Sequence, residues 1–111
     1  MDIKIEAIHH PNQEQLKTFY EEKLQRKYGS YNFIKNIDVK VEEGRNGVKR
    51  VALQIKPEKG TMLYANHEDQ NENRALNQTI RKMNVQIEKY KEQHYRSNHK
   101  SKANNSPINN Y

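Results

Sequence analysis

The sequence predicts an α+β domain in which two helices pack on one face of a four-stranded sheet, in the order β-α-β-β-β-α. Three observations support this prediction. Four segments alternate polar and apolar residues, which is typical of half-buried strands. Two longer segments repeat apolar residues every three or four positions, as amphipathic helices do. Short turn sequences separate the last three strands, which favours an antiparallel meander.

The first strand and the first helix are predicted from residues 2–28. Residues 2–8 alternate, with Ile3, Ile5 and Ala7 on one face. Residues 9–12 break the strand, and Asn12 can cap the helix that follows. A helix C-terminus is predicted at Gly29. The apolar stripe of this helix is predicted to contain Leu16, Phe19, Tyr20, Leu24 and Tyr28.

The next three strands are predicted at residues 36–42, 51–55 and 61–66. The turn at 43–47 contains two glycines, which suit its positive-φ positions, and residues 57–60 turn the chain again. Met62 and Tyr64 are expected on the open face of the sheet. The inward residues are predicted to be Ile37, Val39, Val41, Val51, Leu53, Ile55, Leu63 and Ala65.

The second helix has the strongest periodic signal in the chain, at Leu76, Ile80, Met83, Ile87 and Tyr90. The polar residues 67–73 before it supply candidate N-caps. After residue 96 the composition changes, because residues 97–111 contain five Asn and three Ser. We therefore predict a folded domain over residues 1–96 and a flexible tail over residues 97–111.

Composition narrows the class of protein. Leu, Ile, Val and Phe make up 21 of the 111 residues, so we expect one domain with a thin core. The chain has no Cys, which excludes disulfides, thiolate zinc sites and cysteine nucleophiles. No apolar run approaches the roughly 20 residues of a membrane span, and the N-terminus lacks the apolar stretch of a secretory signal. We expect a cytoplasmic protein with no membrane partner.

The positive charge is concentrated in the last third of the chain. The net charge is +6, yet residues 1–73 hold 12 basic and 12 acidic residues. Residues 74–111 hold eight basic residues and only two acidic ones. A basic second helix on a neutral body indicates a docking surface for a polyanion, although a solvated helix face that binds nothing would have the same composition.

An α-β-β-β-α core with a basic second helix is similar to the double-stranded RNA-binding domain. With a strand in front of it, the chain resembles the ribosome hibernation promoting factor and ribosome-associated inhibitor family (sigma-54 modulation protein / S30EA-type ribosomal proteins). The resemblance covers residues 1–95, with Asn73 where the family usually has an aromatic residue and Asn77 where it often has Asp. Family-like positions are Asn36-Ile37-Asp38-Val39, Lys23-Leu24, Leu63, Ala65, Glu68, Ala75-Leu76, Lys82-Met83, Gln86-Ile87, Lys89 and Lys91.

The resemblance implies a stress or stationary-phase factor that binds the decoding region of the small ribosomal subunit and excludes tRNA and mRNA. Its partners would be the small subunit and its rRNA, with no small-molecule substrate and no cofactor. The chain would be a short form, without the domain through which long forms promote ribosome dimers. Whether this chain promotes or prevents dimers stays open. The residues expected to contact rRNA phosphates are Lys82, Lys89, Lys91, Arg81, Arg74, Lys23, Arg26 and Lys27.

Two other functions are compatible with a small basic α+β domain. A general double-stranded RNA-binding module would need no ribosome, and a ribosome-dependent mRNA endonuclease toxin is the main enzymatic alternative. The sequence shows no nucleophile elbow, phosphate loop or paired carboxylates, so we expect a protein that is not an enzyme. The five His residues have no metal-ligand spacing, so no metal site is expected. Tyr64, Tyr90 and Tyr95 could stack on bases, although Tyr90 continues the core stripe.

Overall fold

The computed structural model describes residues 1–9 and 12–96, without the side chain of Arg96. The predicted tail over residues 97–111 therefore lies outside the described residues. The order of elements is the predicted one. It comprises β1 (Asp2–Ile8), α1 (Gln13–Tyr28), β2 (Ile34–Glu43), β3 (Lys49–Pro57), β4 (Leu63–Asp69) and α2 (Glu72–Lys91), followed by one turn of π-helix at Glu92–Arg96.

The four strands form one sheet in the order β1-β2-β3-β4. The meander of β2, β3 and β4 is antiparallel, as predicted, and β1 pairs in parallel with β2. The strands are in register, so that one row crosses the sheet through Ile5, Val39, Leu53 and Ala65. Three of these four side chains are buried and Ile5 is half-buried at the edge. This face of the sheet is the floor of the core, on which both helices pack.

The first helix packs through a narrower stripe than the sequence predicted. Leu16, Tyr20, Leu24 and Tyr28 are buried, at a strict spacing of four residues. The prediction for Phe19 was wrong, because 49% of its surface is exposed. The expected cap is also different: Asn12 accepts the Leu16 N–H through its backbone carbonyl at 3.0 Å, and its side chain makes no capping bond. The helix ends before Gly29, as predicted.

The turn between β2 and β3 uses only one of its two glycines in the left-handed region. Gly47 has φ 73° and Asn46 has φ 59°, whereas Gly44 has φ −100°. The predicted role of Gly44 was therefore wrong. Asn is among the residues that tolerate this conformation best, because its short polar side chain can bond to nearby backbone.

The strand β4 extends further than its alternation predicted. It begins at Leu63 and continues to Asp69, so that three of the residues predicted as a polar connection belong to the sheet. The cap of α2 is Asn71, whose Oδ1 accepts the backbone N–H of Arg74 at 3.0 Å. The connection between β4 and α2 is consequently only two residues long, which fixes the start of α2 at the end of β4.

The buried face of α2 agrees with its periodic pattern. All five predicted residues are buried, and Ala75 and Thr79 join them. Thr79 is a polar residue in the core, and its hydroxyl lies 2.7 Å from the Ala75 carbonyl and 3.1 Å from the Val51 carbonyl. A buried hydroxyl needs such a partner. Thr79 therefore links α2 to β3 as well as filling the core.

Candidate nucleic-acid interface

The two faces of the molecule differ in charge. On the helical face, α1 and α2 together carry nine Lys or Arg residues and five Asp or Glu residues. On the open face of the sheet, cations and anions lie side by side on neighbouring strands, at Lys4/Asp38, Glu6/Lys40 and Glu42/Arg50. These six residues line a shallow depression and their charges cancel. The net positive charge of the two faces therefore lies on the helical face.

The cations of α1 form the first group on the helical face. Lys23 is half-buried, and Arg26 and Lys27 are exposed. Together they line a groove between the helices, whose other wall is Asn77 and Ile80 of α2. Among the described residues, no carboxylate lies within ion-pair distance of these three. The exposed Phe19 belongs to the same side of α1, because the Nζ atom of Lys23 lies 5.8 Å from the centre of its ring.

The second group lies along β4, the edge strand next to α2. Lys82 is exposed and its Nζ atom donates to the Asn66 carbonyl at 2.9 Å. One turn further, Gln86 accepts the Tyr64 N–H at 3.0 Å and donates a short hydrogen bond to the Tyr64 carbonyl. Lys89 is exposed beside this contact, in a hollow that Gln86 also lines. These two lysines therefore border the edge of the sheet.

The two arginines of α2 are exposed near its outer face. Arg74 forms an ion pair with Asp69, with Nε 3.3 Å from each carboxylate oxygen. The Asn71 N–H donates to the same carboxylate at 2.8 Å. This backbone hydrogen bond, followed by the attraction of Arg74, lowers the pKa of Asp69. Arg81 is exposed about two helical turns further along α2.

Lys91 stands apart from the other predicted cations. Its Nζ atom lies 3.2 Å from Glu88 and 5.4 Å from the centre of the Tyr31 ring. Tyr31 belongs to the connection between α1 and β2, so Lys91 lies on the side of α2 away from β4. The eight predicted residues thus share the helical face, but they form separate groups and not one continuous ridge.

The sequence did not predict an aromatic cluster near Lys91. Tyr31, Phe33, Tyr90 and Tyr95 are in sequential ring contact, with centroid separations of 4.9–5.9 Å. Tyr90 is 3% exposed, so its predicted packing role is confirmed. A weak signal was available, because aromatic residues are frequent in 28–33 and 90–95, but nothing in the sequence shows that these segments meet.

Metal-binding clusters and membrane-spanning helices are both absent from the described part of the chain. Over residues 1–9 and 12–96, no three His, Asp or Glu side chains are grouped as a metal would require. Within the same ranges, no helix is both long and apolar enough to cross a lipid bilayer.

Comparison with protein-family models shows to which family the chain belongs. The model of the family described as Sigma 54 modulation protein / S30EA ribosomal protein matches residues 3–95. The chain belongs to this family. Apart from Asp2, the match covers all four strands and both helices, and it ends inside the π-turn, in agreement with the extent expected from the sequence. The S30EA assignment makes this chain a member of a ribosome-associated family.

Solved structures agree with the S30EA assignment at the level of the fold. A ribosomal subunit interface protein from Coxiella burnetii has a TM-score of 0.70 and 23% identity, covering 82% of this chain and 98% of its own. The N-terminal domain of Protein Y from Thermus thermophilus has a TM-score of 0.66 and 16% identity, covering 81% and 99%. A sequence comparison with curated proteins gives no match.

Proposed function

We propose that this protein binds the decoding region of the small ribosomal subunit through rRNA and inhibits translation under stress or in stationary phase. The observation that carries the proposal is the net positive helical face opposite a charge-balanced sheet face, in a chain of the S30EA family. The Coxiella burnetii protein of the same fold is named for the subunit interface. The proposal makes the protein a cytoplasmic binding factor and not an enzyme.

The physical basis of binding is the neutralisation of rRNA phosphates. Lys and Arg side chains that contact phosphates release condensed counterions, and this release drives association. A body seated over the tRNA and mRNA positions then inhibits by occupying their space, with no chemical step. If six phosphates are contacted, the logarithm of the affinity falls with the logarithm of salt concentration at a slope of roughly −4 to −5.

The cations differ in what they give up on binding. Arg74 and Lys91 already contact carboxylates, and Lys82 already contacts a backbone carbonyl. Each of these must exchange a protein partner for a phosphate. Lys23, Arg26 and Lys27 have no such ion pair among the described residues. We therefore expect the α1 group to contribute most to binding, together with the exposed Lys89 and Arg81.

A charge-matched pair of variants tests the proposal. The first replaces Lys23, Arg26 and Lys27 with Gln, and the control replaces Lys4, Lys40 and Arg50 with Gln on the open sheet face. Both remove three positive charges. We expect the helical variant to bind purified small subunits more weakly in co-sedimentation, and the slope of its log affinity against log salt to become shallower by roughly one for each phosphate that it no longer neutralises. The sheet variant should keep the wild-type affinity for small subunits and the wild-type salt slope. Only the wild type and the sheet variant should inhibit translation in vitro.

Three results would contradict the proposal. Equal losses in the two variants would show that only net charge matters. Full competition by bulk duplex RNA would favour a general RNA-binding module. Cut products in a ribosome-programmed mRNA assay would favour an endonuclease.

A further inference from the structure

An open groove of about 410 Å³ lies where the end of α2 meets the connection between α1 and β2. Its lining includes Tyr31, Phe33, Glu58, Lys91 and Tyr95. Of the eight residues expected to contact phosphate, only Lys91 lines this groove. The groove therefore has a chemistry of its own, in which aromatic rings predominate over charges.

The rings of the groove are held in place by packing. Phe33 is 8% exposed and lies between the two tyrosines, with its centroid 5.4 Å from Tyr31 and 5.9 Å from Tyr95. On the core side, the ring of Tyr90 packs against Phe33, with 4.9 Å between the ring centroids. The hydroxyl of Tyr95 donates to Glu58 at 2.8 Å, which fixes the position of this ring. Such a prepared surface loses little conformational entropy when a flat ligand binds.

A lysine stands over each outer ring. The Nζ atom of Lys91 lies 5.4 Å from the centre of the Tyr31 ring, and that of Lys59 lies 5.1 Å from the centre of the Tyr95 ring. Two cations therefore border the aromatic rings, where Glu58 lines the groove and Glu88 lies 3.2 Å from Lys91. Flexible lysine stems allow each ammonium group to move from a ring face to a phosphate, which leaves the ring free to stack.

We propose that this groove binds one unpaired nucleotide of RNA. The base stacks on Tyr31, and Lys59 and Lys91 contact the phosphates on its two sides. Aromatic rings bordered by cations are the combination that binds single-stranded RNA, whereas bases within a duplex remain stacked on one another. The inference rests on the proposed function and adds to it a base contact beside the phosphate contacts.

Photo-crosslinking tests the identity of the occupant. A p-benzoylphenylalanine placed at position 31 of the full chain keeps an aromatic group in the groove, and the protein is irradiated with purified small subunits. A crosslink to an rRNA nucleotide supports the proposal. Crosslinks that reach only a ribosomal protein, or only residues 97–111 of the chain itself, overturn it. The same substitution at Tyr64, an exposed tyrosine on the open sheet face, is the control and should not crosslink to rRNA.

Binding to a defined probe tests the stacking contact without the ribosome. The probe is a single-stranded RNA oligonucleotide with one 2-aminopurine, whose fluorescence is quenched by stacking. Tyr31→Leu should weaken binding by roughly 5- to 150-fold, the range for loss of one base–aromatic stack. Tyr31→Phe keeps the ring and should bind as the wild type does, and so should Tyr64→Leu. Far-UV circular dichroism and the melting temperature of each variant establish that it is folded.

The two proposals fail in different ways. If wild-type protein does not co-sediment with small subunits, the proposed function is wrong. If wild-type protein co-sediments and Tyr31→Leu quenches the probe as strongly as the wild type, the groove proposal alone is wrong. Equal affinity of the wild type for an oligonucleotide with an abasic site at the probe position would also overturn it.

Discussion

Two buried tyrosines on α1 show how much the environment of a single hydroxyl matters. The hydroxyl of Tyr20 donates to Glu72 at 3.2 Å. The hydroxyl of Tyr28, two turns later, is buried and has no hydrogen-bond partner among the described residues. Burial raises the pKa of both groups, and the negative charge of Glu72 raises that of Tyr20 further. The two residues have the same chemistry and opposite hydrogen-bonding status.

We expect the same substitution to have opposite effects at these positions. Tyr20→Phe removes a hydrogen bond to a charged group and should lower the free energy of unfolding by about 1.5–3 kcal/mol. Tyr28→Phe removes an unsatisfied buried hydroxyl and should raise it by about 1 kcal/mol, since such a group costs about 1–3 kcal/mol. Urea denaturation at neutral pH measures both. A loss of stability in Tyr28→Phe would show that its hydroxyl has a partner.

At the scale of the element, α2 protects the edge of the sheet. Exposed edge strands present unpaired N–H and C=O groups to which another chain can pair. On β4, Gln86 bonds to both backbone groups of Tyr64, and Lys82 bonds to the carbonyl of Asn66. Side chains of one helix thus satisfy the strand that lies beside it. Lys82 consequently has a structural contact besides its proposed contact with phosphate.

We expect Gln86→Ala to uncover this edge. The free energy of unfolding should fall by about 1–2 kcal/mol, because two hydrogen bonds are replaced by bonds to water. Self-association should increase at high protein concentration. Analytical ultracentrifugation and urea denaturation measure the two effects. Gln78→Ala, earlier on the same helix, is the matched control and should change neither; an equal change in both variants would mean that only helix stability is affected.

The helices and strands were predictable from the sequence where the pattern of a single chain segment determines them. The stripe of α2 was correct because a 20-residue helix gives the 3.6-residue period several repeats. Phe19 was misassigned because a spacing of three residues fits the period but does not reveal how narrow the contact is. The extension of β4 was missed because its polar residues are stabilised by pairing with β3. The grouping of cations, and the meeting of Tyr31 with Lys91, depend on tertiary contacts that no local pattern contains.

At the scale of the whole molecule, ionisation of tyrosines should limit stability in alkali. The pKa values of Tyr20, Tyr28 and Tyr95 are raised, the last chiefly by its hydrogen bond to Glu58. Between the unfolded value near 10 and the higher folded value, the unfolded state holds fewer protons. Stability is therefore complete below about pH 10 and falls as the pH rises above it.

We expect the advantage of Tyr28→Phe over the wild type to widen above pH 10 by roughly 1.4 kcal/mol per pH unit. The comparison cancels the titration of lysines, which both proteins share. Urea midpoints at pH 8, 9, 10 and 11 measure it. A constant difference across this range would show that the Tyr28 hydroxyl ionises as readily in the folded protein as in the unfolded chain.

The parallel pairing of β1 with β2 has a consequence for the order of folding during synthesis. Asp2 pairs with Asn36, 34 positions away, whereas Glu43 pairs with Lys49 across only six. Contacts between distant residues form later than local ones, because closing a long loop costs more entropy. The strand β1 is synthesised before its partner β2, so it must wait for the hairpin of β2 and β3 before it can pair. An N-terminal fusion that tethers β1 would slow maturation of the nascent chain more than one at the opposite end.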